Sequence, residues 1–500
     1  MVETADERVR LSRRAFLAAT VAGGLGLAAC GRPSATPPAG SPTPGAYAKA
    51  IEVAEAARPH TGRTVTASLT PQPVTVDLGG PVVHTLAYGD SIPGPLIRAN
   101  VGDDLAVAVS NRLDHPTSIH WHGIALRNDM DGAAPATPNI DAGRDFTYRF
   151  SVPHSGTYWA HPHTGLDADF GLYTPVIVDD PREAGRYDAE WIVVLDDWTD
   201  GVGKSPQDIF DGLHHGMSGM GGMGMGGVGT SSLLGGDAGD VRYPYYLVNG
   251  RIPAAPTTFT AKPGQRIRIR FINAGSDTAF RVALAGHSMT VTHTDGYPVV
   301  PKEVDALLLG MSERYDVIVT AGDGVFPLVA LAEGKNAAGR ALLSTGRGTA
   351  PDPGFLPAEL DRRVGTVDMF TSTPQAGLGI TGADIDLSAD LSGGMMNYDW
   401  AINGRPFPDN QPLAIAQGQT ARLTFTNRTM MWHPMHLHGH TFQMLDASGG
   451  LGARKDSTIV LPMRTVTVAL VADNPGIWMI HCHNTYHQEA GMMTSLNYSA

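Results

Sequence analysis

Val101-Gly102-Asp103-Asp104-Leu105-Ala106-Val107-Ala108-Val109-Ser110-Asn111 decides the fold, because the chain repeats its pattern three times. Leu105, Val107 and Val109 alternate with smaller residues, the period of a strand with one buried face. The second version opens on Pro263-Gly264-Gln265, alternates Ile267, Ile269 and Phe271 with three arginines, and ends at Asn273. The third opens on Gln417-Gly418-Gln419, sets Leu423 and Phe425 among Arg422, Thr424 and Thr426, and ends at Asn427. Asn249-Gly250-Arg251 is matched in the same way by Asn403-Gly404-Arg405. A unit recurring after about 155 residues is a repeated domain, since solenoid repeats are far shorter. The expected architecture is all-β, with three β-sandwich domains over residues 63–180, 187–348 and 365–500 and a Pro-rich boundary from Thr349 to Pro357.

Composition agrees. Sixty Gly and 36 Pro in 500 residues supply the turns that many short strands need. With 42% apolar residues the chain is globular; a net charge of −13 and no long basic run exclude nucleic acid as a partner. Two cysteines, Cys30 and Cys482, allow at most one disulfide, so no disulfide framework holds this fold.

Residues 1–30 read as an export signal. Arg13-Arg14 precede a short apolar run from Ala15 to Ala29, whose length of about 22 Å as a helix falls short of a bilayer core of roughly 30 Å. Ser12-Arg13-Arg14-Ala15-Phe16-Leu17 resembles a twin-arginine signal. Leu27-Ala28-Ala29-Cys30 resembles a lipobox, which would make Cys30 the lipidated first residue of an exported protein held at the outer face of the membrane; a plain cleaved signal is the alternative. A tether then leads into a short helix within residues 46–59, so that 31–62 precede the first sandwich.

The repeat shows where chemistry was placed. Eighteen residues after Gly102 stands His120-Trp121-His122-Gly123, and eighteen after Gly418 stands His436-Leu437-His438-Gly439. The same offset from Gly264 reaches Val282-Ala283-Leu284-Ala285, all apolar. Whatever these histidines bind therefore lies between the first and third domains. Two further pairs, His161/His163 and His481/His483, bring the total to eight imidazoles, and in each pair both rings leave one face of a strand. Eight imidazoles suffice for several metal ions. Cys482 lies between His481 and His483, so its thiolate points the other way, where His433, His487 and Met492 are available. Two imidazoles, a thiolate and a weak thioether make a blue-copper site, and zinc is disfavoured.

His-Trp-His-Gly, His-Pro-His, His-Pro-Met-His-Leu-His-Gly and His-Cys-His-x-x-x-His-x-x-x-Gly-Met, in this order, resemble the four copper signatures of three-domain multicopper oxidases, from about residue 63 to the end. The lipobox and overall sequence also resemble the exported copper oxidases of mycobacteria and related actinobacteria. The resemblance implies three cupredoxin-like Greek-key sandwiches and four copper ions. It assigns type 1 copper to His433, Cys482, His487 and Met492, and type 2 to His120 and His436. One type 3 ion would take His122, His161 and His483, the other His163, His438 and His481. It also implies electron transfer from type 1 copper through Cys482 to His481 and His483, and four-electron reduction of O2 to water. Asp131 matches the acidic residue that the family uses beside the cluster; an ordinary turn aspartate is the alternative. Gln488 stands where several bacterial relatives carry a Glu, and Glu489 would face away if the segment is extended.

Residues 214–229 hold His214, His215, Met217, Met220, Met223 and Met225 among eight glycines. Soft thioethers select Cu(I), so this segment reads as a capture loop in the middle domain, with a neutral low-complexity insertion as the alternative. Oxidation of Cu(I) to Cu(II) in copper detoxification is the resulting expectation. A laccase-like phenol oxidase, a ferroxidase and a non-catalytic copper-sequestering surface protein are the rivals. His287, His293 and His440 match no ligand position and are expected to be buried and hydrogen-bonded.

Overall fold

The computed structural model describes residues 44–183, 186–214 and 228–499. The export signal with Cys30, the start of the tether, and His215, Met217, Met220, Met223 and Met225 lie outside the described residues. The short helix spans Ala48–Ala56 and buries Ile51, while the Tyr47 hydroxyl before it donates to the carbonyl of Tyr498.

Each copy of the repeated strand occupies the same place. Asp104–Ser110 runs parallel to Thr64–Leu69 and antiparallel to Asp145–Ser151. Arg266–Asn273 lies between parallel Ala189–Trp198 and antiparallel Arg314–Thr320, and Thr420–Asn427 between parallel Ile385–Gly394 and antiparallel Thr465–Val471. The first domain builds three- and four-stranded sheets, the middle domain two six-stranded sheets, and the third a six- and a five-stranded sheet. Strand order is non-sequential throughout these sheets, as Greek-key crossovers require.

The repeated residues recur for physical reasons. Gly102, Gly264 and Gly418 turn into their strands at φ of 81°, 82° and 86°, a region costly for any residue with a Cβ. The asparagine closing each strand ties down the loop that follows. Asn111 Nδ2 donates to the carbonyls of His115, Ile140 and Asp141, Asn273 Nδ2 to those of Thr278 and Leu309, and Asn427 Nδ2 to those of Met431, Val460 and Leu461. Each carboxamide oxygen accepts from the backbone N–H two residues on. Asn249-Gly250 and Asn403-Gly404 both have positive φ at both positions, the tight hairpin turn of that dipeptide.

One strand departs from the expectation of a single buried face. Arg268 and Arg270 of Arg266–Asn273 are buried, as are Ile267 and Ile269 that alternate with them. The first domain covers that face, and the guanidinium groups pair with Asp316, Glu183 and Glu190 while Thr157 reaches across to Asp316. Alternation of charge with apolar residues marks here a seam between domains.

Candidate metal centre

Two strand ladders bring the histidines together. His120–His122 pairs antiparallel with Gly156–His161, placing His120 opposite His161; His433–Leu437 pairs with Ile477–Cys482, placing His436 opposite His481. The ladders face each other across the seam of the first and third domains. Nε2 of His481 lies 3.0 Å from that of His438 and 3.2 Å from that of His163, and Nε2 of His161 lies 3.3 Å from that of His483. His122 stacks on His436 and His120 on His438, with ring centroids 3.7 and 3.6 Å apart. All eight expected cluster histidines converge, and only His163 among them is partly exposed. Burial first, then neighbouring imidazoles, pushes His122, His161, His163, His438, His481 and His483 well below the ordinary imidazole range. They are neutral near pH 7 and can offer lone pairs.

Outer nitrogens are held by the protein. Nδ1 of His120, His161, His436 and His481 meets the carbonyls of Asp131, Pro162, Asp456 and Cys482 at 2.8–3.0 Å. Asp131 Oδ2 lies 2.8 Å from Nδ1 of His438, and its Oδ1 3.2 Å from Nδ1 of His120. Asp456 Oδ1 lies 3.2 Å from Nε2 of His122. The inner nitrogens His120 Nε2, His122 Nδ1 and His436 Nε2 are buried without a hydrogen-bond partner among the described residues. Buried polar atoms are rarely left so, and orphaned imidazole nitrogens aimed into one space suit metal ions. Ligand atoms of His163, His438 and His481 converge within 4.8 Å, as do those of His120, His122 and His161 and those of His120, His436 and His438. The first trio is a set that the resemblance gives to one type 3 ion.

Cys482 Sγ points away from this cluster, 3.6 Å from Nδ1 of both His433 and His487, which are 3.1 Å apart. Met492 is buried and accepts the backbone N–H of Cys482 at 3.0 Å. Thr429 Oγ1 meets His433 Nε2 at 2.8 Å, and Asp240 Oδ2 meets His487 Nε2 at 2.9 Å. Soft thiolate with two imidazoles fits copper. The segment after His483 is a helix, Thr485–Glu489, capped by the Asn484 side chain, so the extended condition posed for Gln488 and Glu489 is not met. Gln488 is partly buried and Glu489 exposed.

His214 ends the helix Pro206–His214; exposed, it sets its ring 5.4 Å from that of Tyr398. Tyr398 OH donates to Asp240 Oδ2 at 2.6 Å. His287, His293 and His440 are buried and hydrogen-bonded: His287 between Ala285 and Gly322, His293 beside Thr292, and His440 between His438 and Tyr498. Asp240, Asp456 and Arg314 were not foreseen, because they act across domain seams and carry no motif.

Family models described as multicopper oxidase match residues 71–183, 189–347 and 384–500. The multicopper oxidase MmcO of Mycobacterium tuberculosis is 64% identical over 99% of this chain and 98% of its own. Copper resistance protein A of Pseudomonas syringae pv. tomato is 28% identical over 97% and 98%. Among solved structures, a laccase from Botrytis aclada matches with TM-score 0.73 at 25% identity over 89% of both chains. A multi-copper oxidase from Pseudomonas thermotolerans matches at TM-score 0.67 and 27% identity, over 87% of this chain and 99% of that one.

Proposed function

The chain belongs to the multicopper oxidase family, and from that premise we propose that it oxidises Cu(I) to Cu(II) in copper detoxification, with O2 reduced to water. The observation carrying this reading is the file His214, Tyr398, Asp240, His487, which runs from an exposed imidazole to the cysteine site without a gap. His214 opens the Met-rich segment in the sequence, and the soft thioethers of that segment suit Cu(I). The likeness to a copper resistance protein supports a role in copper tolerance.

We assign four coppers to the sets that the resemblance names. Bound there, they supply one-electron transfer at Cys482 and the redox chemistry of O2 at the histidine cluster. The protein contributes the rest. Outer hydrogen bonds orient each imidazole, burial keeps the rings unprotonated, and Asp131, touching His120 and His438, is placed to hold protons that water formation consumes. His481 and His483 flank Cys482 in the chain, so ligands of the two sites are covalent neighbours.

A laccase-like phenol oxidase is the second reading, favoured by the likeness to laccases. Oxygen uptake with Cu(I), Fe(II) or a phenol decides. Deleting 214–229 should raise KM for Cu(I) and spare phenol oxidation; a parallel fall in both makes the segment structural. We also propose export and a lipid anchor at Cys30, and domain limits of 63–180, 187–348 and 365–500. Cys30→Ala should move the protein from the membrane to the soluble exported fraction, and unchanged partitioning rejects the anchor.

A further inference from the structure

We propose that Arg314, from the domain that carries no cluster histidine, is a positioning residue of the histidine cluster: it fixes the Asp456 carboxylate, and Asp456 fixes the rings of His122 and His436. Arg314 is fully buried and all five of its N–H groups are used. Nη1 donates to Asp456 Oδ1 at 2.7 Å and Nη2 to Asp456 Oδ2 at 2.5 Å, a two-pronged pairing that sets the plane of the carboxylate. The remaining donors reach the carbonyls of Thr157, Ser312 and Asp295 at 3.0–3.2 Å. Its acceptors thus come from all three domains, and Thr157 lies on the same strand as His161.

Asp456 in turn faces both ladders. Its Oδ1 lies 3.2 Å from His122 Nε2 and 3.5 Å from His436 Nδ1, and its backbone carbonyl lies 2.8 Å from the latter. Ser457 Oγ joins them, 3.3 Å from His122 Nε2 and 3.2 Å from His436 Nδ1. These contacts turn the free nitrogens, His122 Nδ1 and His436 Nε2, toward the cluster. Asp131 does the same for His120 and His438, so each carboxylate holds one imidazole from either ladder. The two differ in their partners, since only Asp456 has an arginine fork. Gly123 provides room for that fork: a Cβ there would lie 2.3 Å from Arg314 Nη2 and 2.7 Å from Asp456 Oδ2. This accounts for the glycine that ends His-Trp-His-Gly.

The test loads wild type, Arg314→Met and Arg314→Lys with copper and reads bound copper per chain and the blue colour of the Cys482 site. Losing an outer partner costs roughly 10–100-fold in metal affinity. Arg314→Met should weaken cluster copper by that factor and keep the blue colour, and Arg314→Lys, which keeps charge but lacks the fork, should also lose cluster copper. Full copper at wild-type affinity in either variant overturns the proposal. So does parallel loss of blue colour and cluster copper in soluble protein, which marks a structural role only. If Arg314→Met does not fold, Asp456→Asn replaces it, with the same expected loss and the same overturning outcomes.

Discussion

The strand Phe280–Leu284 of the middle domain and the histidine strands of its neighbours occupy one position in one fold. Val282 lies opposite Ala330 as His120 lies opposite His161 and His436 opposite His481. Val282, Leu284, Leu328 and Ala330 are all fully buried and pack in the domain's own core. The ladder therefore does not need metal ligands to form; strand pairing, the turn glycine and the asparagine hub are present in all three domains. With apolar residues at the ladder positions of its neighbours' histidines, the middle domain serves its neighbours' sites from outside, with Asp240 on His487 and Arg314 on Asp456.

The comparison breaks most completely at Cys482. Cys482→Ser removes the thiolate that no residue of the middle domain replaces, and the expected outcome is a colourless protein that oxidises no substrate, read by visible absorption and oxygen uptake. Val282→His, which copies the neighbours' residue without a metal or an outer partner, should cost about 3 kcal/mol in denaturant unfolding. A cost near zero would mean that the core can accept an imidazole unaided.

Asp131→Asn sharpens the contrast between the two carboxylates. It keeps shape but cannot carry a proton, so O2 reduction should slow roughly 100-fold while reduction of the blue site stays fast. Stopped-flow measurement of both half-reactions checks this, and unchanged turnover leaves Asp131 an orienting residue.

The smallest effect concerns a histidine outside the cluster. Asp167, with Asp114 assisting, holds His115 up at about 9, against the downward push of burial, whereas the cluster rings are pushed down. A raised folded value favours the folded state below the ordinary His value of about 6.5, and that contribution is lost as pH rises through about 9. Asp167→Asn should bring His115 back toward its ordinary value by NMR titration and flatten stability over that interval. Half-exposed as His115 is, the change in stability will be slight.

Spacing made the repeat, the strand positions and the eight convergent imidazoles legible, because each pair stands at or just beyond the end of a strand whose place the repeat fixes, although only His120 and His122 share one strand and His163, His438 and His483 follow theirs. The buried face of Arg268 and Arg270 was not legible, since a charged residue becomes core only when another domain supplies its partner. Asp456 and Asp240 were missed for the same reason: their partners lie in other domains, hundreds of residues from Asp240 and 142 from Asp456 to Arg314. The helix after His483 carries a local signal in Asn484, whose side chain caps Thr485–Glu489, but no copper motif includes it.

The cluster draws its rings from residues 120–163 and 436–483 of a 500-residue chain. During translation the first four imidazoles emerge more than two hundred and fifty residues before the other four exist. A ribosome-bound chain can thus complete the first domain and still offer only half a binding site. A chain that stops before residue 436 therefore lacks four of the eight imidazoles, and Cys482 with them.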